Sequence, residues 1–222
     1  MDAVLSLGDC NTCGIAPCEG NAYPERFAQR LGGVVRNCGY TMSTLREAGY
    51  FFRDFYARDT TIVTIQYGLV DSWETFAYAP YVLYYPDNLL RKLLRKVVKR
   101  YKKLCRQMGL NAWLGTAPLV PVDEYVRRLK QIITACRPDT RIMLIETAPN
   151  RNESRNPAIR RYNEALQDVV ASHPHCQILN TYDWFAAHRD TLYLDDTHIN
   201  AQGHEWIANG LFALCSKAGG AP

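Results

Sequence analysis

A chain of 222 residues with 47% hydrophobic and 22% charged side chains and a formal net charge of +4 can bury one substantial core, which excludes a disordered polymer. No apolar run reaches the length of a membrane span, and the N-terminus lacks a basic segment followed by an apolar stretch, so the cytoplasm is the expected compartment. Eight cysteines there read as thiols, and Cys38, Cys105, Cys136, Cys176 and Cys215 are expected as small residues of the core or of element edges.

Ala3 to Leu7 is nearly charge-free and reads as a buried parallel strand that ends abruptly in Gly8-Asp9-Cys10-Asn11-Thr12. Tyr23 to Leu31 follows as a helix with Pro24 in its first turn, stopped by Gly32-Gly33. Val34 to Asn37 is a second strand, ending at Cys38-Gly39. Ser43 is placed to cap a helix running to about Arg58, with Phe51, Phe52, Phe55 and Tyr56 on its apolar face. Thr61 to Tyr67 is β-branched nearly throughout and is the clearest strand; it ends in Gly68-Leu69-Val70-Asp71. Arg141 to Thr147 and Cys176 to Asn180 are the fourth and fifth strands, Pro157 to Ala171 and Gln202 to Lys217 the later helices, and Ala218 to Pro222 a frayed tail. Strands alternating with helices imply one α/β domain, a five-stranded parallel sheet flanked by helices.

The segment from about 76 to 122 interrupts this rhythm. An aromatic loop (Phe76, Tyr78, Tyr81, Tyr84, Tyr85) leads to a helix with Asp87 as its N-cap. Leu89, Leu90, Leu93, Leu94, Val97, Val98, Tyr101 and Leu104 recur on it at helical spacing, and residues 87–107 carry nine basic residues against one acid. The plain expectation is an ordinary packing helix with a solvated outer face. The sharper one is an anionic partner, such as an acidic acyl-carrier domain or a phosphorylated or sulfated substrate, with the aromatic loop walling an acyl pocket. A membrane surface would require the apolar face that core packing uses. No nucleic acid is expected, because the stripe accompanies no recognisable reading motif.

A small residue, an acid and a nucleophile at the C-terminal end of a buried strand present a reactive atom at the sheet's rim. Gly8-Asp9-Cys10, together with Asp195-Asp196-Thr197-His198 and the following Asn200 and Gly203-His204, resembles the SGNH (GDSL) hydrolase superfamily, with cysteine where that family has its nucleophilic serine. The resemblance spans Ala3 to His204. It implies a three-layer, flavodoxin-like α/β sandwich and acyl-ester or thioester hydrolysis by a Cys10–His198–Asp195 triad through a covalent acyl-cysteine. It implies an oxyanion hole from the backbone N–H groups of Cys10 and Gly39, and a substrate-facing block at Val70 and Asp71. Valine stands at 70 where the family has a donating asparagine. No cofactor and no metal are required, and the substrate is an acylated small molecule or a carrier-bound acyl group. A cysteine standing in for an original serine is another origin of the pattern.

Two other classes remain open on the residues. A thioester intermediate suits acyl transfer to an amine or alcohol as well as hydrolysis, and an inactive acyl- or glycan-binding domain would keep the pocket without turnover. Cys10, Cys13 and Cys18 resemble half a zinc site or a redox pair, but no second half follows at finger spacing. His204 is expected to brace the last helix, and His173, His175 and His188 to lie on loops or surface. A thiol paired with His198 at a helix N-terminus is expected to ionise below its free value of about 8.5.

Overall fold

The computed structural model describes residues 2–77 and 79–218; Met1, Tyr78 and the tail 219–222 lie outside the described residues. In chain order the elements are β1 (Ala3–Gly8), α1 (Cys10–Cys13), α2 (Tyr23–Arg30), β2 (Val34–Gly39), α3 (Leu45–Phe55), β3 (Ile62–Gln66), β4 (Glu74–Phe76), α4 (Leu89–Gln107), α5 (Leu110–Leu114), β5 (Thr116–Pro118), α6 (Val122–Ala135), β6 (Arg141–Ile145), a 3-10 turn (Glu153–Arg155), α7 (Asn156–Ala171), β7 (Cys176–Leu179), α8 (Tyr182–Ala187), α9 (Arg189–Leu192) and α10 (Ala201–Ala218).

Five parallel strands form the central sheet in the order β2-β1-β3-β6-β7. Both faces are covered, so the inner strands are apolar residue after residue and their side chains alternate between two cores. Leu5 and Leu7 of β1, Val63 and Ile65 of β3, and Ile142 and Leu144 of β6 pack with Leu45, Phe51, Leu129, Ile133 and Leu166 of α3, α6 and α7. Val4, Ile62, Met143 and Ile145 point the other way, onto Phe27 of α2, Phe185 of α8 and Ile207 and Leu211 of α10. The five expected strands are therefore present in the expected three-layer arrangement. The connection leaving β1 and the one leaving β3 open at the same sheet edge, where α/β folds place their ligands.

Several local expectations need correction. The helix after β2 is capped by Thr44, not Ser43: Thr44 and Glu47 form a capping box, and the helix ends at Phe55. Ser43 Oγ donates instead to the Gly8 carbonyl (2.8 Å). The basic helix is capped by Asn88, whose Oδ1 accepts the Arg91 N–H (2.8 Å), while Asp87 pairs with Arg95 (2.6 Å). The insertion closes on itself through the antiparallel pair β4–β5. It then leads into α6, a helix the sequence reading passed over, whose Tyr125, Leu129, Ile132 and Ile133 enter the core.

The largest departure is in α4. Its apolar face does not pack on the core: Leu89, Leu90, Leu93, Leu94, Val97, Tyr101 and Leu104 are 42–85% exposed, and Cys105 is its one buried residue. The aromatic loop before it binds α3 rather than walling a pocket at Cys10. Tyr85 stacks on Phe51 with ring centroids 3.8 Å apart, and Tyr81 donates to Glu47 (2.8 Å).

Candidate active site

Gly8 ends β1 and lets the chain turn back on itself: a Cβ there would lie 1.8 Å from Thr12 Oγ1. Asp9 N-caps the one-turn helix that follows, its Oδ1 accepting the Asn11 N–H (3.0 Å). Cys10 is the first residue of that turn, so its own N–H has no acceptor within the helix. Thr12 anchors the turn from below through Gln66 and Tyr23, both at 2.9 Å.

The second half of the site comes from the loop before α10. Asp195 holds this loop through three bonds: Oδ1 accepts the N–H groups of Thr197 (2.7 Å) and His198 (2.8 Å), and Oδ2 receives His198 Nδ1 (2.7 Å). With Nδ1 directed to the carboxylate, Nε2 is the basic nitrogen of the ring. Burial raises the Asp195 carboxyl, but the His198 ring and the two backbone donors outweigh it and hold the group below its usual range.

Asn11 joins the halves. Its side chain donates to the Thr197 carbonyl (3.2 Å) and accepts the Ile199 N–H (3.1 Å), so the neighbour of Cys10 grips the backbone on both sides of His198. Asn150 adds a bond to Thr197 Oγ1 (3.0 Å). The sequence points to Cys10, Asp195 and His198 but not to Asn11, for which a polar side chain next to Cys10 is the available signal.

The surroundings of Cys10 differ from those expected of a preformed thiolate. Cys10 is 5% exposed and packs with Leu69, Ile159 and Tyr182. Burial first, and the Asp9 carboxylate second, push its thiol far above the ordinary range; its own N–H and that of Asn11 act in the opposite direction. The expectation of a lowered thiol pKa is thus reversed in this conformation. Asp9 is itself fully buried with Oδ2 unpartnered, and burial pushes its carboxyl up to about 7 against the Asn11 N–H and Arg155.

Gly39 and the Gly68–Asp71 block also need correction. The Gly39 N–H is already donated to Asn37 Oδ1 (2.8 Å), and the missing side chain serves close packing, since a Cβ would lie 2.1 Å from the Cys13 nitrogen. In the same loop Met42 has φ 65°, the one non-glycine residue among the described residues in the left-handed region. Val70 and Asp71 do not face a cleft; they are buried at 2% and 0%. The Asp71 carboxylate accepts the N–H groups of Leu45 (2.8 Å) and Gly68 (3.1 Å), tying α3 to the end of β3, and burial pushes it up to about 7.

What lies beside this block is Arg155, which the sequence reading missed. Its Nη2 donates to the Leu69 carbonyl (2.8 Å), and its Cζ lies 4.5 Å from the Trp73 ring centroid. Burial lowers its guanidinium pKa, and the nearby Cys10 and Asp9 oppose that shift. Arg155, Trp73, Ser72, Asn152 and Pro157 line a cleft of about 380 Å³.

The remaining candidates are structural. His204 Nδ1 accepts the Tyr23 N–H (3.2 Å), and burial pulls its pKa down to about 3, so it braces α10 against α2 as expected. His188 stacks on Trp184 at 4.0 Å. Cys10, Cys13 and Cys18 are all free thiols, and among the described residues no three His, Cys, Asp or Glu side chains converge as a metal site would require.

A family model described as "GDSL-like Lipase/Acylhydrolase family" matches residues 6–206. Among solved structures, a lipase/acylhydrolase from Enterococcus faecalis superposes with a TM-score of 0.66 at 14% identity, over 96% of this chain and 94% of that one. A G-D-S-L family lipolytic protein from Veillonella parvula gives 0.64 at 12% identity, over 96% and 97%. Axe2, an acetylxylan esterase from Geobacillus stearothermophilus, gives 0.63 at 19% identity, over 96% and 93%. No curated protein matches the chain.

Proposed function

The chain belongs to the GDSL-like lipase/acylhydrolase family, a family of ester hydrolases, and from that premise we propose that it cleaves acyl esters or thioesters through a covalent acyl-cysteine at Cys10. The observation that carries the reading is the Asn11 clamp, which ties the turn bearing Cys10 to the Asp195–His198 pair. Cys10 Sγ attacks the carbonyl carbon while its proton passes to His198 Nε2, and the carbonyl π pair moves onto oxygen. Collapse expels the alcohol or thiol oxygen or sulfur, which takes the proton back from His198. Water then attacks the thioester, His198 removing its proton, and the thiol is restored. Because burial favours the neutral thiol, proton removal accompanies attack, as it does for a serine, rather than preceding it.

The developing oxyanion needs donors. The Cys10 N–H is one. With the Gly39 N–H engaged and Val70 unable to donate, Arg155 is the second: it is fixed by Leu69 and Trp73, and its charge acts on Cys10. An alcohol or amine in place of water at the second step would make the enzyme an acyltransferase.

The test is intact-mass spectrometry after brief exposure to activated acyl esters and thioesters. One acyl adduct that disappears in Cys10→Ala and accumulates in His198→Ala is the expected result. Unchanged turnover in Cys10→Ala would remove the mechanism. A folded protein that acylates with no donor, yet binds acylated ligands, would point to the inactive binding domain.

A further inference from the structure

We propose that α4 is a membrane-surface helix that lays this protein on an anionic bilayer. The helix meets the body along one edge, through Arg91, Arg95, Val98, Lys102 and Cys105, which are its less exposed positions. About a third of a turn round from that edge lies the row of Leu89, Leu90, Leu93, Leu94, Val97 and Leu104, turned to solvent, with Tyr101 half exposed and packed edge-on against Phe76. The row runs the length of the helix, about 28 Å at 1.5 Å per residue. Beyond its end, Met108 and Trp113 are further exposed apolar side chains, at 65% and 81%. Lys96, Lys99, Arg100 and Lys103 flank the row on the side away from the body, and all four are exposed.

Charge selects the occupant. Between Leu89 and Gln107 there is no acid, so the ridge suits a negatively charged surface. A second copy would bring the same cationic helix against itself. A flat anionic interface meets both halves of the pattern, accepting a leucine row between headgroups while lysines and arginines reach the phosphates. An acidic protein domain satisfies the charge but leaves the leucine row unexplained. Trp113 and Tyr101 have the amphipathic rings that favour the headgroup region.

The helix also borders the site. Lys102 and Arg106 line a cleft of about 250 Å³ with Met42 and Trp73, and Trp73 is the residue on which Arg155 stacks. Lys102 and Arg106 lie on or beside the body-facing edge of the helix, so docking through the leucine row leaves this cleft uncovered, and the docking is independent of the esterase reading.

The experiment is co-sedimentation with vesicles of phosphatidylcholine and phosphatidylglycerol at about 7:3, against pure phosphatidylcholine, at low and high salt. Wild type and Cys10→Ala should bind the anionic vesicles alike, so a failed acyl-cysteine mechanism leaves the binding result readable. Binding should fall roughly tenfold or more on neutral vesicles, and likewise in Lys96→Gln/Arg100→Gln/Lys103→Gln and in Leu90→Gln/Leu93→Gln/Val97→Gln. These positions are exposed, and circular dichroism checks that the variants fold. Three results would overturn the proposal: wild type that stays in the supernatant, a leucine variant that binds as wild type does, or a dimer in sedimentation velocity that the leucine changes dissociate while vesicle binding is absent. A leucine-insensitive, salt-sensitive attachment would point to an acidic protein partner.

Discussion

Arg155 and Asp9 act electrostatically on Cys10 with opposite sign, and each has a separate consequence. If Arg155 holds the oxyanion, Arg155→Met should lower kcat on a small neutral ester by about 10²-fold or more while KM hardly moves. Added guanidinium should restore part of the rate. An anchor for a substrate's own anion would behave differently, raising KM for charged esters and sparing neutral ones. Asp9 bears on stability. Its folded carboxyl, raised from 3.8 to about 7, binds a proton more tightly than the unfolded chain does. The stability it contributes is therefore complete below the unfolded value and is lost as pH rises through about 7, a slope worth on the order of 4 kcal/mol in full. Asp9→Asn keeps an oxygen for the Asn11 N–H and loses that slope. Urea midpoints at about pH 5 and pH 8 should thus differ less in the variant than in wild type. Asp71, raised in the same direction, leaves part of the slope in both proteins.

Among the elements, the strap from 79 to 87 is held to α3 by the Glu47 carboxylate and by Tyr85 stacked on Phe51. Glu47 of α3, fully buried, accepts from Thr44 N (2.8 Å), Thr44 Oγ1 (2.7 Å), Tyr81 OH (2.8 Å) and Tyr84 N (2.8 Å). Glu47→Ala leaves these donors unpaired and should cost about 3 kcal/mol or more. Limited proteolysis should then cut first in the strap, while the sheet stays intact. The strands were legible because burial on both faces leaves runs that are nearly all β-branched, such as Ile62–Gln66, which no other element type explains as well. α6 escaped notice although Asp123 and Glu124 in its first turn and Tyr125, Leu129, Ile132 and Ile133 carry the helical period. It directly follows the insertion, whose irregularity masked its start. α4 was legible as a helix and illegible in its orientation. A hydrophobic stripe states that a face avoids water, and nothing in its period distinguishes a protein core from another apolar phase. In the site, Cys10, Asp195 and His198 stand out in the sequence because short blocks carry them. Asn11 and Arg155 act through contacts across 188 and 86 residues, which local pattern cannot show.

At the scale of the molecule, charge is unevenly placed: α4 is strongly cationic, whereas the rest of the chain is net acidic. No helix among the described residues is long and apolar enough to cross a membrane. α2 and α10 are clamped by Arg26 and Arg30 on Glu205, and β1 lies inside the sheet with neighbours from both sides. The Asn11 bonds to Thr197 and Ile199 therefore close a loop of nearly the whole described chain. Bringing such distant points together carries a large entropic cost until the intervening strands have paired. Under the proposed mechanism, bringing Cys10 to His198 therefore waits on the pairing of the strands between them, and the thiol stays apart from its base while the core is still open.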